Sequence, residues 1–174
     1  MPQADSARAA AATIDAPELD PIVKAAEKRG WTITHVLTTH HHGDHVEANL
    51  ALKEKYGCEI IGPRNEAAAI PGIDRTVGDG DEFTFGKRPV RVIETPGHTQ
   101  GHVSFHFPAD RLLFAGDTLT ELRQSWLAAE ALMTGGEVVL AERGLLLRVG
   151  LAHGDGPGEG SDLEDEAGVA CVEL

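Results

Sequence analysis

Hydrophobic and polar positions along residues 11–119 fall into short blocks with a strand or helix signature. AATIDA (11–16) predicts a short strand, and APELDPIVKAAEKRG (16–30) a helix with Ile22, Val23 and Ala26 on its apolar face and Gly30 placed to end it. TITHVLTT (32–39) is β-branched and predicts a strand that runs directly into a polar cluster. DHVEANLALKEKYG (44–57) then predicts a second helix, with Asp44 at its N-terminal end and Gly57 as its stop. CEIIG (58–62) predicts another strand, and NEAAAIPGI (65–73) a short helical turn followed by a break. EFTFG (82–86), VRVIET (90–95), VSFHF (103–107) and RLLFAGD (111–117) follow as strands separated by Gly/Pro punctuation, with VGDGDEF (77–83) reading as a turn. This order predicts a sheet packed against helices, with a largely antiparallel second part.

Beyond Glu121 the pattern weakens. ELRQSWLAAEALM (121–133) fits an amphipathic helix, and EVVLAERGLLLRV (137–149) a hairpin or strand pair. Residues 155–174 carry seven acids and no base, the composition of a solvated or disordered tail. Charge draws the same boundary. Residues 1–120 hold 17 acids and 12 bases, whereas residues 121–174 hold 11 acids and 3 bases. We therefore expect a core domain over 1–119 and a divergent acidic tail over 120–174.

At 174 residues the chain is long enough for one domain with a sizeable core. Its net charge of −13 argues against a nucleic-acid partner, which needs clustered bases. Two cysteines, Cys58 and Cys171, do not make a disulfide framework, and Cys58 reads as a small buried strand residue. The first twenty residues lack the apolar stretch of a signal peptide and no segment could span a membrane, so the expected location is cytoplasmic.

The polar clusters carry the chemistry. Each sits where a predicted strand runs out into a loop: His40-x-His42-x-Asp44-His45, then His98 and His102 in TPGHTQGH, then Asp117 in FAGDTL. Loops leaving strand ends of a rigid scaffold commonly assemble binding sites. Neutral imidazole and carboxylate suit zinc and similar divalent ions. In an extended stretch residues two apart point the same way, so His40 and His42 can grip one ion while His41 points elsewhere. Asp44 and His45, after the turn into the helix, can face a second. A metal pair of this kind activates water, lowering its pKa from 15.7 toward about 7. His35 and His106 lie inside strand patterns and are expected to be structural. His102 can order the loop around His98 or act as a plain hydrogen-bonded histidine.

The motifs THHHGDH, ETPGHTQGHVSF and LLFAGDTL, with IDAPE upstream, resemble the metallo-β-lactamase fold superfamily and most of all glyoxalase II, the hydroxyacylglutathione hydrolases. The resemblance covers about residues 12–119. It implies an αββα sandwich of the metallo-β-lactamase type, here incomplete at both ends. It implies two divalent ions, most simply Zn2+ with Fe or Mn as alternatives. His40, His42 and His98 would hold the first ion, Asp44 and His45 the second, and Asp117 both. Asp44 and Asp117 are the implied catalytic residues, serving hydroxide attack on the thioester of S-D-lactoylglutathione to give glutathione and D-lactate, the detoxifying step of methylglyoxal catabolism. Asp15 would order the histidine loop from behind. A glutathione-persulfide dioxygenase using one iron, or a metal-binding remnant without activity, are the alternatives.

Two departures accompany the resemblance. Relatives of this type carry about two strands ahead of the IDAPE position, where this chain has a dozen residues. After Leu119 they continue with a glutathione-binding segment and a Gly-His-Glu strand end, neither of which is present. His153 is the one histidine beyond Asp117, and it reads as part of the unrelated tail.

Overall fold

The computed structural model describes residues 9–121, 137–142, 145–150 and 171–173. Its strands are β1 (Ala9–Ile14), β2 (Trp31–Leu37), β3 (Glu59–Pro63), β4 (Arg75–Val77), β5 (Glu82–Phe85), β6 (Arg88–Glu94), β7 (Val103–Phe107), β8 (Leu112–Phe114), β9 (Glu137–Glu142), β10 (Leu145–Gly150) and β11 (Cys171–Glu173). The helices are α1 (Leu19–Arg29), α2 (Gly43–Val46) and α3 (Asn49–Tyr56). Two sheets result, in the orders β11-β1-β2-β3-β4 and β10-β9-β8-β7-β6-β5.

Connection type explains the pairing. Helices intervene between β1 and β2 and between β2 and β3, and such crossovers leave those strands parallel. Short turns join β5 to β6 and β7 to β8, and the loop 95–102 joins β6 to β7; these strands are antiparallel. Buried side chains follow. In β5 and β6, Phe83, Phe85, Val90 and Val92 alternate with exposed residues and face the first sheet. The first sheet is covered on both faces, as parallel sheets usually are. Ile14, Leu37 and Ile61 join the inter-sheet core, whereas Ala11, Ile33 and Ile60 pack with Ile22 and Ala26 of α1 and Leu52 of α3. The described residues thus supply an α, a β and a β layer of the expected αββα sandwich.

Phe105 is wholly buried at the centre of the inter-sheet core, edge-on to Phe83 at 6.4 Å. Phe105→Ala is expected to lower unfolding stability by about 3–5 kcal/mol, read as a drop in the denaturation midpoint.

Most sequence-predicted elements stand within a few residues of their expected limits, α1 and α3 ending at Gly30 and Gly57 in left-handed geometry. Three differences are informative. The single helix expected over 44–57 is two, α2 and α3. The break follows from pairing with the loop after β1: the Ala16 N–H donates to the His45 carbonyl, and the Ala48 N–H to the Ala16 carbonyl. Those groups are spent on tertiary contacts instead of continuing the helix. Second, β4 adds a short edge that the sequence pattern did not indicate, and β9 and β10 form the antiparallel pair suggested over 137–149. Third, Cys171–Glu173, expected within a solvated tail, pair antiparallel with β1. An open edge of β1 offers unpaired N–H and C=O groups, which a strand satisfies. Residues 122–133 of the candidate amphipathic helix, and His153, lie outside the described residues.

Candidate metal centre

One end of the two sheets gathers the polar loops. β1 ends at Asp15, β2 runs out through Thr38–His42, β6 leads into the loop 95–102, and β8 delivers the 3-10 turn Gly116–Glu121 with Asp117. The Val103 N–H donates to the Thr39 carbonyl at 3.0 Å, tying the second sheet to the first at this end.

Asp15 organises the histidine loop from behind. It adopts φ 58°, an uncommon left-handed value that an aspartate tolerates better than most residues. Its carboxylate accepts from the Thr39 N–H at 2.7 Å, the Thr39 hydroxyl at 2.9 Å and His45 Nδ1 at 2.9 Å. Because the Thr39 hydroxyl spends its proton on Asp15, it accepts from His40 Nδ1 at 3.0 Å. Both rings are therefore held with Nδ1 protonated and Nε2 turned inward. Burial, then the neighbouring His45 and His102, lower the pKa of His40 to about 2, so it is a neutral imidazole with a free lone pair.

The inward nitrogens converge. His40 Nε2 lies 3.1 Å from His42 Nδ1, which lies 2.9 Å from His98 Nε2. The Asp117 carboxylate stands across them, with Oδ1 at 3.3 Å from His45 Nε2 and Oδ2 at 3.3 Å from His98 Nε2. Among the described residues two groups able to hold a metal ion emerge, His40–His42–His98 and His40–His45–Asp117, sharing His40. Electrostatics favour a cation. Burial opposes charging of His45, yet hydrogen bonds to Asp117 and Asp15 and their negative charge outweigh it and raise its pKa to about 10. Burial would raise Asp117, but His45 first and then the other histidines hold it below the ordinary carboxylate value. Inward ring nitrogens and an ionised Asp117 are the donor chemistry of a divalent metal site, where a metal ion would take the place of the proton that His45 holds.

The other candidates are placed as follows. Asp44 sits at the rim, 59% exposed, with Oδ2 3.9 Å from His45 Nε2, and falls outside both groups. His41 turns away from the cluster, as expected from its place between His40 and His42, and pairs with Glu66. His102 is fully buried, its Nδ1 2.8 Å from the Thr95 hydroxyl and 3.1 Å from that of Thr118, and its ring 5.0 Å from His40. His35 lies edge-on to Phe85 and beside Glu59, apart from the cluster.

Sequence reasoning missed Glu66 and the supporting threonines 39, 95 and 118. Glu66 sits in the 3-10 turn Arg64–Ala69 and binds the backbone of both histidine loops. It stood in a short helical turn with nothing nearby to mark it. Gly116 is also required. A Cβ there would come within 2.6 Å of Thr39 Oγ1 and 2.7 Å of His102 Nε2, so a larger residue would lift Asp117 off the cluster. Beside the cluster opens a cleft of about 530 Å3, lined by His41, His42, Asn65, His98, Thr99 and Gln100 among others.

Sequence comparison matches residues 5–137 to the family described as the metallo-beta-lactamase superfamily. The chain belongs to that superfamily. Among curated relatives, a hydroxyacylglutathione hydrolase from Rhizobium etli is 68% identical over 111 residues, covering 64% of this chain and 43% of the relative. One from Brucella ovis is 58% identical over 118 residues, covering 68% of this chain and 46% of the relative. The chain thus spans less than half the length of these relatives. Among solved structures of the superfamily fold, ETHE1 from Myxococcus xanthus superposes with a TM-score of 0.54 at 33% identity, covering 65% of this chain and 49% of that one. The BLEG-1 B3 metallo-beta-lactamase superposes with a TM-score of 0.55 at 22% identity, covering 62% and 61%. No helix among the described residues is long and apolar enough to cross a membrane.

Proposed function

We propose that this chain is the metal-binding core of a hydroxyacylglutathione hydrolase, cleaving the thioester of S-D-lactoylglutathione to glutathione and D-lactate in the cytoplasm. The observation that carries the reading is Asp117, whose two oxygens face the two histidine groups that share His40. Similarity to the Rhizobium and Brucella hydrolases supports the choice of substrate.

In this proposal His40, His42 and His98 would hold one ion, Asp44 and His45 a second, and Asp117 would serve both, with Zn2+ as the occupant. Such ions supply Lewis acidity, polarising the carbonyl and lowering the pKa of water. The chain's own residues do the rest. Asp15 and Thr39 keep His40 and His45 in the ligand-ready tautomer. Asp44, the most exposed of the acidic candidates, stands at the rim with Oδ2 3.9 Å from His45 Nε2. The cleft beside His42 and His98 admits the thioester end of the substrate, with the amides of Asn65 and Gln100 offering partners to its polar atoms. Water adds to the carbonyl carbon and the C–S bond breaks, giving the lactate carboxylate and the thiolate of glutathione; of the water's two protons one returns to the thiolate and the other goes to solvent.

The full chain loaded with zinc is expected to release free thiol from S-D-lactoylglutathione, and to stop when a chelator is added. Metal analysis of the same sample should give close to two ions per chain. Metal binding without thiol release would overturn the hydrolase reading in favour of a non-catalytic metal protein. One iron per chain would point to oxidative chemistry instead.

A further inference from the structure

Two buried carboxylates stand behind the cluster, on opposite sides. Asp15 holds His45 directly and His40 through Thr39. Glu66 faces the other side. Its Oε2 accepts from the His41 backbone N–H at 2.9 Å and from His41 Nδ1 at 2.7 Å, and its Oε1 accepts from the Gly101 N–H at 2.9 Å. His41 lies between His40 and His42, and Gly101 closes the turn that presents His98. One side chain therefore spans both histidine loops, across sequence separations of 25 and 35 residues.

We propose that Glu66 is a positioning residue that sets the geometry of the His40–His42–His98 group, as Asp15 sets that of the His40–His45–Asp117 group. Glu66 makes its contacts through His41 and the backbone, and it acts by fixing where His42 and His98 stand. Packing enforces the same distance. A Cβ on Gly101 would come within 2.6 Å of Glu66 Cγ and 3.0 Å of Asn65 Cβ, so the 98–101 turn rests directly on this side chain. Burial would raise the pKa of Glu66, but the Thr99 hydroxyl beside it, His41 and the backbone N–H groups outweigh that and keep it ionised. An ionised carboxylate receiving N–H groups on both oxygens is rigid, because each bond is charge-assisted. The neutral isostere cannot replace it. Glutamine must turn an NH2 group toward His41 or toward Gly101, and either placement sets donor against donor.

The inference rests on the proposed ligand roles of His42 and His98 and is independent of the substrate. It is tested by titrating the full chain with Co2+, comparing the parent with Glu66→Gln and following both affinity and the visible d–d spectrum. The affinity of one ion should fall about 10–100-fold with a changed spectrum, while the other ion stays within about threefold. Asp15→Asn, which acts on His45 directly and on the shared His40 only through Thr39, should weaken the other ion the more. Parent-like affinity and spectrum in Glu66→Gln would overturn the proposal, and so would equal weakening of both ions, the mark of a general structural brace. Should circular dichroism show Glu66→Gln unfolded, Glu66→Asp carries the same measurement, since it keeps the charge but reaches only one loop. A parent that binds metal but cleaves no thioester would remove the hydrolase reading and leave this comparison intact.

Discussion

Asp117→Ala is expected to reduce thioester hydrolysis by at least about 10²-fold while leaving the chain folded. The reason is geometric. Asp117 Oδ1 faces His45 and Oδ2 faces His98, both at 3.3 Å, so this carboxylate joins the two groups that share His40. It is ionised despite partial burial, held so by His45 and its neighbours. Alanine removes a negative charge from a site where His40, His42, His45 and His98 supply none. On the proposed assignment it also removes the element that would fix the distance between two ions. The fold should survive, because Asp117 lies in a 3-10 turn at the end of β8, outside the inter-sheet core. Asp117→Asn separates charge from shape and should fall nearly as far. Steady-state thiol release together with circular dichroism makes the measurement. A variant working within a few-fold of the parent would contradict a shared-metal mechanism.

The second large effect concerns metal retention. His40 belongs to both groups, and its ring centroid lies 4.7 Å from His42, 4.1 Å from His45 and 4.9 Å from His98. With a pKa of about 2 it presents a lone pair at any working pH, so no proton competes for the position. Replacing His40 and His42 together by Ala leaves His98 alone in the first group and His45 with Asp117 in the second. On the proposed assignment the first ion would keep only His98 and Asp117, below the three protein ligands typical of an open zinc site. The second would keep His45, Asp117 and the rim carboxylate Asp44 but lose the buried imidazole of its group. Most bound metal should be lost on dialysis, as read by elemental analysis, with each remaining affinity at least about 10²-fold weaker. Full retention would mean that the ligands lie elsewhere.

Much of this architecture was legible in the chain itself. Strand and helix limits followed from hydrophobic period and from stops such as Gly30 and Gly57, both left-handed as that role requires. The metal-binding cluster was legible because its members sit together in the chain at i, i+2 spacing, or at the end of a recognisable strand. Local signals fail where a backbone group is claimed from afar. The interruption between α2 and α3 depends on Ala16, whose amide and carbonyl take up groups that a continuous helix would use. No periodicity in 44–57 records that.

Sequence by itself determined which residues could bind metal, since ligand chemistry belongs to the side chain and the spacing along a strand end is local. It also determined where most strands fall and the antiparallel character of the second part, because alternation and punctuation are properties of single segments. The two-sheet sandwich was what the family resemblance implied. Only the tertiary structure decided that Asp117 stands between two histidine groups, that Asp44 waits at the rim, and that Glu66 braces both loops. The physical reason is the same in each case. A carboxylate in a short turn looks alike in sequence whether it is solvated or buried. Its role is set by which N–H groups and imidazoles, many residues away, the folded sheets bring within hydrogen-bond distance.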